Sequence, residues 1–203
     1  MQKLIVKTKE ELRKIIEEAP LDADLNYIDV SLVTDMSYLF RGTLFNGDIS
    51  EWDVSNVTDM RGMFFHNLEF NGDISKWNVS KVINMFEMFA HSKFNRPIGE
   101  WNVSSVIDMS TMFYDSVFNQ DIGNWDVSSV TDMSWMFGHS EFNKPISNWN
   151  VSNVKNMSYM FDYSKFDQDI NLWLPKSLKK YEKIFDMSPL ADNPPKWYKE
   201  LAV

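Results

Sequence analysis

The sequence predicts an α/β repeat solenoid in which each coil of about 24 residues contributes one short parallel strand and one short helix or 3₁₀ segment. Methionine and phenylalanine recur in a constant frame, as in Met109-x-x-Met112-Phe113. A unit this short cannot bury its own apolar face, so neighbouring units must stack over one continuous core. The frame is set by tryptophan, which occurs at positions 52, 77, 101, 125, 149 and 173 with spacings of 25, 24, 24, 24 and 24 residues.

Each unit combines two local periods. Ile122-x-x-Trp125-x-Val127 predicts the strand, because residues at i and i+2 lie on the same face of a strand. Val130-x-x-Met133-x-x-Met136 has the offsets of one face of a short helix or 3₁₀ segment. A serine column between the two segments, from Ser31 to Ser152, has the position of a helix N-cap.

The repeat divides the chain into three parts. Residues 1–27 form an N-terminal cap with a helix at about 8–18, because Thr8-Lys-Glu-Glu11 fits a capping box; Leu4-Ile5-Val6 adds an edge strand. Residues 28–172 hold six coils of the solenoid. Residues 173–203 contain a degenerate repeat and a C-terminal cap, in which Trp197 to Leu201 form a last helical turn. The two caps cover the ends of the core, as solenoids require.

The columns of large and polar residues have structural interpretations. The tryptophans and the paired methionines share offsets with isoleucine, valine and phenylalanine, so both are predicted to lie in the core. Asparagine recurs from Asn46 to Asn143 and is replaced by Asp167 in the next unit. This column is predicted to point inward and to satisfy backbone groups of its own and the adjacent coil, since buried turns leave N–H and C=O groups unpaired.

Composition excludes several classes of function. The 203 residues include 20 Lys and Arg against 29 Asp and Glu, a net charge of −9, which disfavours a nucleic-acid partner. The charge is concentrated in residues 21–172, where 9 basic and 21 acidic side chains give −12. Cysteine is absent, which removes disulfides, thiolate metal sites and thiol catalysis. No apolar run approaches the roughly 18 residues of a membrane span.

The repeat motif resembles a known family. The strand core is similar to the L-x-x-L-x-L strand of leucine-rich repeats. The full unit, Trp-[Asp/Asn]-Val-Ser-x-Val-x-[Asp/Asn]-Met-x-x-Met-Phe, resembles the roughly 25-residue BspA-like or DUF285-type repeat of bacterial surface proteins. The resemblance covers about four-fifths of the chain. It implies a non-enzymatic surface protein that binds a partner, although the lipobox cysteine of lipoprotein members is absent here.

No catalytic residue, metal ligand or cofactor is predicted. His66, His91 and His139 each fall 14 residues after a tryptophan, with Asp115 in the coil between the last two, so the repeat stacks these four side chains along one edge. Coil spacing lets only neighbouring pairs share a zinc ion, which needs ligands at about 2.0–2.2 Å in tetrahedral geometry. We therefore expect a tolerated surface turn at this edge, and no enzyme.

Two outward surfaces compete as the binding site for a protein or glycan partner. The first lies beside the tryptophans and is polar. The second, on the predicted helical side, is aromatic, and exposed Trp and Tyr favour interfaces. The candidate binding residues are Asp53, Asn78, Asn102, Asp126 and Asn150 on the polar surface, and Tyr38, Tyr114, Trp135 and Tyr159 on the aromatic surface.

The expected location follows from the resemblance and from the start of the chain. The resemblance implies a cell-surface or secreted protein that acts in adhesion or host interaction. The chain shows neither a signal-type segment nor a lipobox, so a cytoplasmic scaffold or assembly protein is the alternative.

Overall fold

The computed structural model describes residues 3–201 of a repeat protein that consists mostly of turns and coil. Its regular elements are strand β1 (Leu4–Ile5), helix α1 (Lys9–Glu18), strand β2 (Ile28–Asp29) and helix α2 (Lys196–Leu201). A helix therefore occurs near each end, where the caps are predicted. Residues 1–2 and 202–203, the outermost parts of those predicted caps, lie outside the described residues.

The N-terminal helix forms as its capping box predicts. The Thr8 hydroxyl accepts a hydrogen bond from the Glu11 backbone N–H at 3.2 Å, and the Glu11 carboxylate accepts one from the Lys7 N–H at 2.7 Å. Leu12 and Ile16 of α1 are buried against the first unit. Before the helix, β1 pairs in parallel with β2, with Leu4 opposite Ile28. The predicted edge strand is therefore present, although only two residues long.

The parallel pairing between units falls at a different place from the one the sequence predicts. Single parallel bridges join Asp35 to Asp59 and continue through every later unit to Lys180. The predicted Ile-x-x-Trp strand is instead a turn, in which the Trp125 N–H donates to the Ile122 carbonyl at 3.1 Å. The strand prediction is thus wrong in position, because the Ile and Trp side chains reach the core from a turn.

The predicted helix of each unit is also wrong. Between residues 19 and 195 the structure has no helix or 3₁₀ segment, because alternate backbone N–H groups in the predicted helical segment of each unit bind the neighbouring unit. Within a unit, the Met112 N–H closes a turn on the Met109 carbonyl at 3.3 Å. Other backbone N–H groups donate to carbonyls of the next unit. Those of Met85, Glu87, Phe89 and His91 bond at 2.8–3.1 Å to the carbonyls of Asp108, Ser110, Met112 and Tyr114.

The core is built from aromatic columns that run through all units. The repeat tryptophans, methionines and phenylalanines are buried, as predicted. Equivalent rings of the first phenylalanine column, from Phe40 to Phe185, lie 5.3–5.8 Å apart and nearly parallel. A second column, from Phe45 to Phe166, has spacings of 6.1–6.4 Å. This regular stacking places equivalent surface residues of successive units side by side.

Each isoleucine carbonyl before a tryptophan links two units. The Ile74 carbonyl accepts from the Trp77 backbone N–H at 3.1 Å and from the Trp101 indole N–H, also at 3.1 Å. The same indole bond recurs in seven tryptophans, from Trp52 to Trp197, at 3.0–3.2 Å. The tryptophans therefore combine apolar burial with a satisfied polar edge.

The polar columns stabilise turns. Asn71 accepts a bond from the Asn95 backbone N–H, and the contact repeats at 2.9–3.1 Å from Asn46 to Asp167, so the predicted bonding to the adjacent unit is confirmed. The prediction that these side chains point inward is wrong, because all of them are half-exposed or exposed. The serine column caps no helix: the Ser128 N–H instead donates to the Asp126 carboxylate at 3.0 Å, which makes an Asx turn.

Candidate functional site

Two positions in each unit adopt the left-handed backbone conformation. They lie 10 and 14 residues after the unit's tryptophan position, and most of them carry side chains larger than glycine. Thr111, Trp135 and Tyr159 have φ of 59°, 58° and 60°, and His91 and His139 have φ of 54° and 56°. For such residues this conformation costs about 1–2 kcal/mol each relative to the right-handed one. The two positions project side chains from one side of every unit.

Aromatic residues at and beside these positions form a continuous surface, which we call the aromatic stripe. The Trp135 and Tyr159 rings are stacked with centroids 4.3 Å apart, and Tyr114 meets Trp135 edge-on at 5.5 Å. His66 and His91 stack at 4.4 Å. Further ring contacts connect the set from unit to unit. The stripe consists of Tyr38, Phe65, His66, His91, Tyr114, Trp135, His139, Tyr159 and Tyr163.

Two glycines make room for rings of the stripe. Gly62, with φ of 53°, lies beneath Tyr38, and a Cβ atom there would come within 2.2 Å of the ring. Gly138 lies against Trp135 and Tyr114, whose nearest ring atoms would be 2.9 and 3.2 Å from such a Cβ. Any larger residue at Gly62 would displace the Tyr38 ring. Small residues between the large ones thus determine how the rings of the stripe pack.

Charged groups flank the stripe. The Arg41 guanidinium lies 5.5 Å from the centre of the Tyr38 ring and 5.3 Å from that of Phe65, which joins the two rings at the N-terminal end. His91 Nδ1 is 2.8 Å from the Asp115 carboxylate. His139 Nε2 is 3.9 Å from the carboxylate of Asp162, whose pKa is raised by burial.

The predicted histidine edge is present, and its chemistry is limited. His66 stacks on His91, His91 pairs with Asp115, and His139 contacts Tyr114 and Tyr163. In residues 3–201 no histidine is hydrogen-bonded to a hydroxyl group. Within the same range no three of His, Cys, Asp and Glu lie close enough together to hold a metal ion.

The aromatic candidates predicted from the sequence lie together. Tyr114, Trp135 and Tyr159 are in direct ring contact, and Tyr38 joins the stripe through Arg41 and Phe65. All four are half-buried. Sequence reasoning missed the role of Arg41 and the left-handed backbone. The available signal for the latter was Gly42 and Gly62, which stand at the two left-handed positions of their units.

The polar candidates form a separate column of exposed turn residues. The side-chain oxygens of Asp53, Asn78, Asn102, Asp126 and Asn150 each accept a bond, at 3.0–3.2 Å, from the N–H of the serine two residues later. The bonds from Ser55 and Ser128 lower the pKa of Asp53 and Asp126. One oxygen of each residue is therefore engaged in holding its turn, which gives this polar strip a structural role.

One comparison identifies the family. The profile of a family described as "Mycoplasma protein of unknown function, DUF285" matches residues 10–117 and again residues 91–197. The chain belongs to the DUF285 family. The two matched segments fit the repeat nature of the chain, and the motif that suggested this resemblance is therefore confirmed. No curated protein and no solved structure matches this DUF285 protein. None of its helices within residues 3–201 has the length and apolar character to cross a membrane.

Proposed function

We propose that this DUF285 protein is a non-enzymatic binding module, an open leucine-rich-repeat-like solenoid that presents the aromatic stripe to another protein. The continuity of the stripe is the observation that supports this proposal. Eight rings from five successive units contact one another along the stripe, Arg41 joins Tyr38 to them, and Tyr163 is 53% exposed. Interface hot spots are enriched in tryptophan, tyrosine and arginine, which the stripe combines in Trp135, Tyr114 and Arg41.

The polar strip is the weaker candidate. Its five residues already bond the serine N–H groups of their own turns, and it contains no large side chain that could fill a pocket on a partner. The stripe, in contrast, holds bulky side chains at left-handed positions where threonine or glycine occurs in other units. We infer that the stripe carries the binding energy and that the polar strip maintains the turns.

Ring packing favours a protein over a glycan. Trp135 and Tyr159 are parallel within 6°, and His139 and Tyr163 within 8°, so one face of each of these rings is covered by its neighbour. Their edges, which carry the positive part of the ring quadrupole, and their polar tips remain for a partner. Peptide carbonyls and further aromatic rings suit such edges, whereas a sugar platform would need open ring faces.

The proposal is tested with a variant that removes two rings without adding backbone strain. W135G/Y159G replaces two side chains at φ near 60°, where glycine is the favoured residue. T111G makes the same backbone change at the same position of another unit and serves as the matched control. Each protein is applied to a peptide array and to a glycan array. Peptide binding by the parent and T111G that is lost in W135G/Y159G supports the proposal; binding that persists in W135G/Y159G, or that is confined to glycans, contradicts it.

We further propose that the module acts in adhesion or host interaction at a bacterial cell surface. Protease treatment of intact source cells tests this location. Digestion of the protein while a cytoplasmic marker survives supports exposure at the surface. Resistance until the cells are lysed would instead support a scaffold or assembly role inside the cell.

A further inference from the structure

The last repeat departs from the polar strip in one respect. The residues on either side of each earlier tryptophan of the 24-residue frame are charged or polar, as in Glu51 and Asp53 or Asn148 and Asn150. Beside Trp173 they are Leu172 and Leu174, which are 75% and 64% exposed, the two most exposed leucines of the described residues. Leu174 also replaces the Asx-turn residue, and Pro175 follows it. Large apolar side chains that are this exposed to water indicate a site of contact with a partner or a membrane.

The same end of this face has a different charge from the rest of the body. Residues 142–161 and 170–181 contain no carboxylate, although residues 21–172 as a whole carry −12. The parallel bridge column, which consists of Asp and Asn in the preceding units, ends at Lys180. Lys155 lies next to this residue, since its carbonyl accepts from the N–H groups of both Lys179 and Lys180 at 2.9 and 3.0 Å. Within the described residues, none of these lysines forms a salt bridge.

From this juxtaposition we propose that the C-terminal end of the repeat array docks peripherally on an anionic lipid bilayer. The docking surface, which we call the basic–leucine patch, consists of Lys155, Leu172, Leu174, Lys176, Lys179 and Lys180, all exposed. Lysines near an anionic bilayer are attracted to its surface potential, and protruding leucines enter the boundary between headgroups and acyl chains. The acidic remainder of the body is repelled by the same surface, so contact with the membrane is confined to the C-terminal end of the array.

A second copy of the chain is the less suitable occupant. A partner that received the leucines would need an apolar pocket bordered by carboxylates. The cleft of about 650 Å³ between α1 and the first unit is lined by three cations, Lys9, Arg13 and Arg41, against the single carboxylate of Glu17, so its net charge would repel the lysines. The acidic groove beside Asp48 and Asp73 has a polar lining. A fluid bilayer needs no preformed pocket, and it supplies both the negative charge and the apolar layer.

Cosedimentation with vesicles tests the proposal on the full chain. The probes are vesicles of phosphatidylcholine alone and vesicles of phosphatidylcholine with phosphatidylglycerol. The protein is expected to sediment with the anionic vesicles and to be released by added salt, because screening weakens the lysine contribution. Equal binding to both vesicle types, or none to the anionic vesicles by folded protein, would overturn the proposal.

Two pairs of variants separate the contributions of charge and apolar contact. K179Q/K180Q is expected to bind the anionic vesicles about 30-fold more weakly, from the usual attraction per lysine. K76Q/K81Q removes the same charge from the acidic end of the face and leaves binding unchanged. L172Q/L174Q is expected to bind at least about 10-fold more weakly, whereas L32Q/L68Q, which changes two other exposed leucines, is the matched control. If only the lysine variant loses affinity, the patch binds phosphate-bearing anions without entering the bilayer, and membrane docking is refuted. The aromatic stripe is unchanged in all four variants, so this outcome is independent of the binding function proposed for it.

Discussion

Replacement of Trp101 tests how the tryptophan column stabilises the repeat array. Trp101 is in a central unit and is 3% exposed, and its indole N–H donates to the Ile74 carbonyl at 3.1 Å. Burial of about 150–250 Å² at about 25 cal/mol/Å² gives an upper bound of about 4–6 kcal/mol for the side chain. Part of this is recovered when neighbours relax, so Trp101→Ala is expected to cost about 3–5 kcal/mol in the free energy of unfolding.

Trp101→Phe separates burial from hydrogen bonding. The phenylalanine keeps most of the apolar contact with Phe89, whose ring centroid is 6.4 Å from that of Trp101. The Ile74 carbonyl loses the indole donor but keeps the Trp77 backbone N–H at 3.1 Å, so it is not left unpaired. The lost bond therefore costs about 0.5–1.5 kcal/mol and not the larger penalty of an orphaned polar group. With the smaller ring included, we expect about 1–2.5 kcal/mol in total.

Urea unfolding monitored by near-ultraviolet circular dichroism, together with calorimetry, measures the free energy of unfolding of both variants. An unchanged m-value would show that the array still unfolds as one cooperative unit, whereas a reduced one in Trp101→Ala would show that the two halves separate at the weakened contact. The burial argument is refuted if Trp101→Phe costs as much as Trp101→Ala, because the indole bond would then dominate. It is also refuted if Trp101→Ala costs less than about 1 kcal/mol, well below the range for a buried tryptophan.

Two further predictions concern the turns. Thr111→Gly should be about 1 kcal/mol more stable than Thr111→Ala, because both remove the side chain and only glycine adopts φ of 59° without steric cost; equal urea midpoints would contradict this. The pKa values of Asp53 and Asp126 are lowered in the folded protein by serine hydrogen bonds, so their contribution to stability is present above the ordinary aspartate pKa of 3.8 and is lost as the pH falls below it. D53N/D126N keeps the hydrogen-bond acceptors, since asparagine fills the same role at Asn78 and Asn102 in other units. This variant should lose less stability than the parent between pH 5 and about pH 3. Identical pH profiles of the urea midpoint would show that these two carboxylates do not contribute to the pH dependence of stability.

The 24-residue period was sufficient to predict the core. Trp101, Met109 and Phe113 recur at constant offsets, and a repeat too short to bury itself must turn such residues toward its neighbours. The same period predicts that His66 lies next to His91 and Trp135 next to Tyr159, as the structure shows. Lateral neighbours in a stacked array follow from position in the unit alone, which is why the aromatic candidates were found together.

The backbone of the unit could not be predicted from the same pattern. A Met-x-x-Met spacing is typical of a helix, but here Met112 closes a four-residue turn that begins at Met109, while alternate N–H groups bond the next unit. Both arrangements bury the same side chains, so hydrophobic periodicity does not distinguish them. The polar residues held more information: Asp-Val-Ser at Asp126 and Asp-Met-Ser at Asp108 are Asx-turn sequences, and they mark turns where a strand and a helix were predicted.

The left-handed positions bear on how the aromatic stripe should be interpreted. Within residues 3–201, twelve residues other than glycine have positive φ, including Lys183 and Met187 beyond the stripe. The conformation therefore belongs to the hydrogen bonding between units and is not specific to a binding site. Gly62 and Thr111 show that small side chains fill this position of the unit, and packing of the core does not require a ring there. The bulky rings of Trp135 and Tyr159 are therefore not explained by the backbone. Every unit shares this backbone conformation, so the stripe is distinguished only by its aromatic side chains. For that reason the comparison of W135G/Y159G with T111G measures the effect of removing the rings on binding.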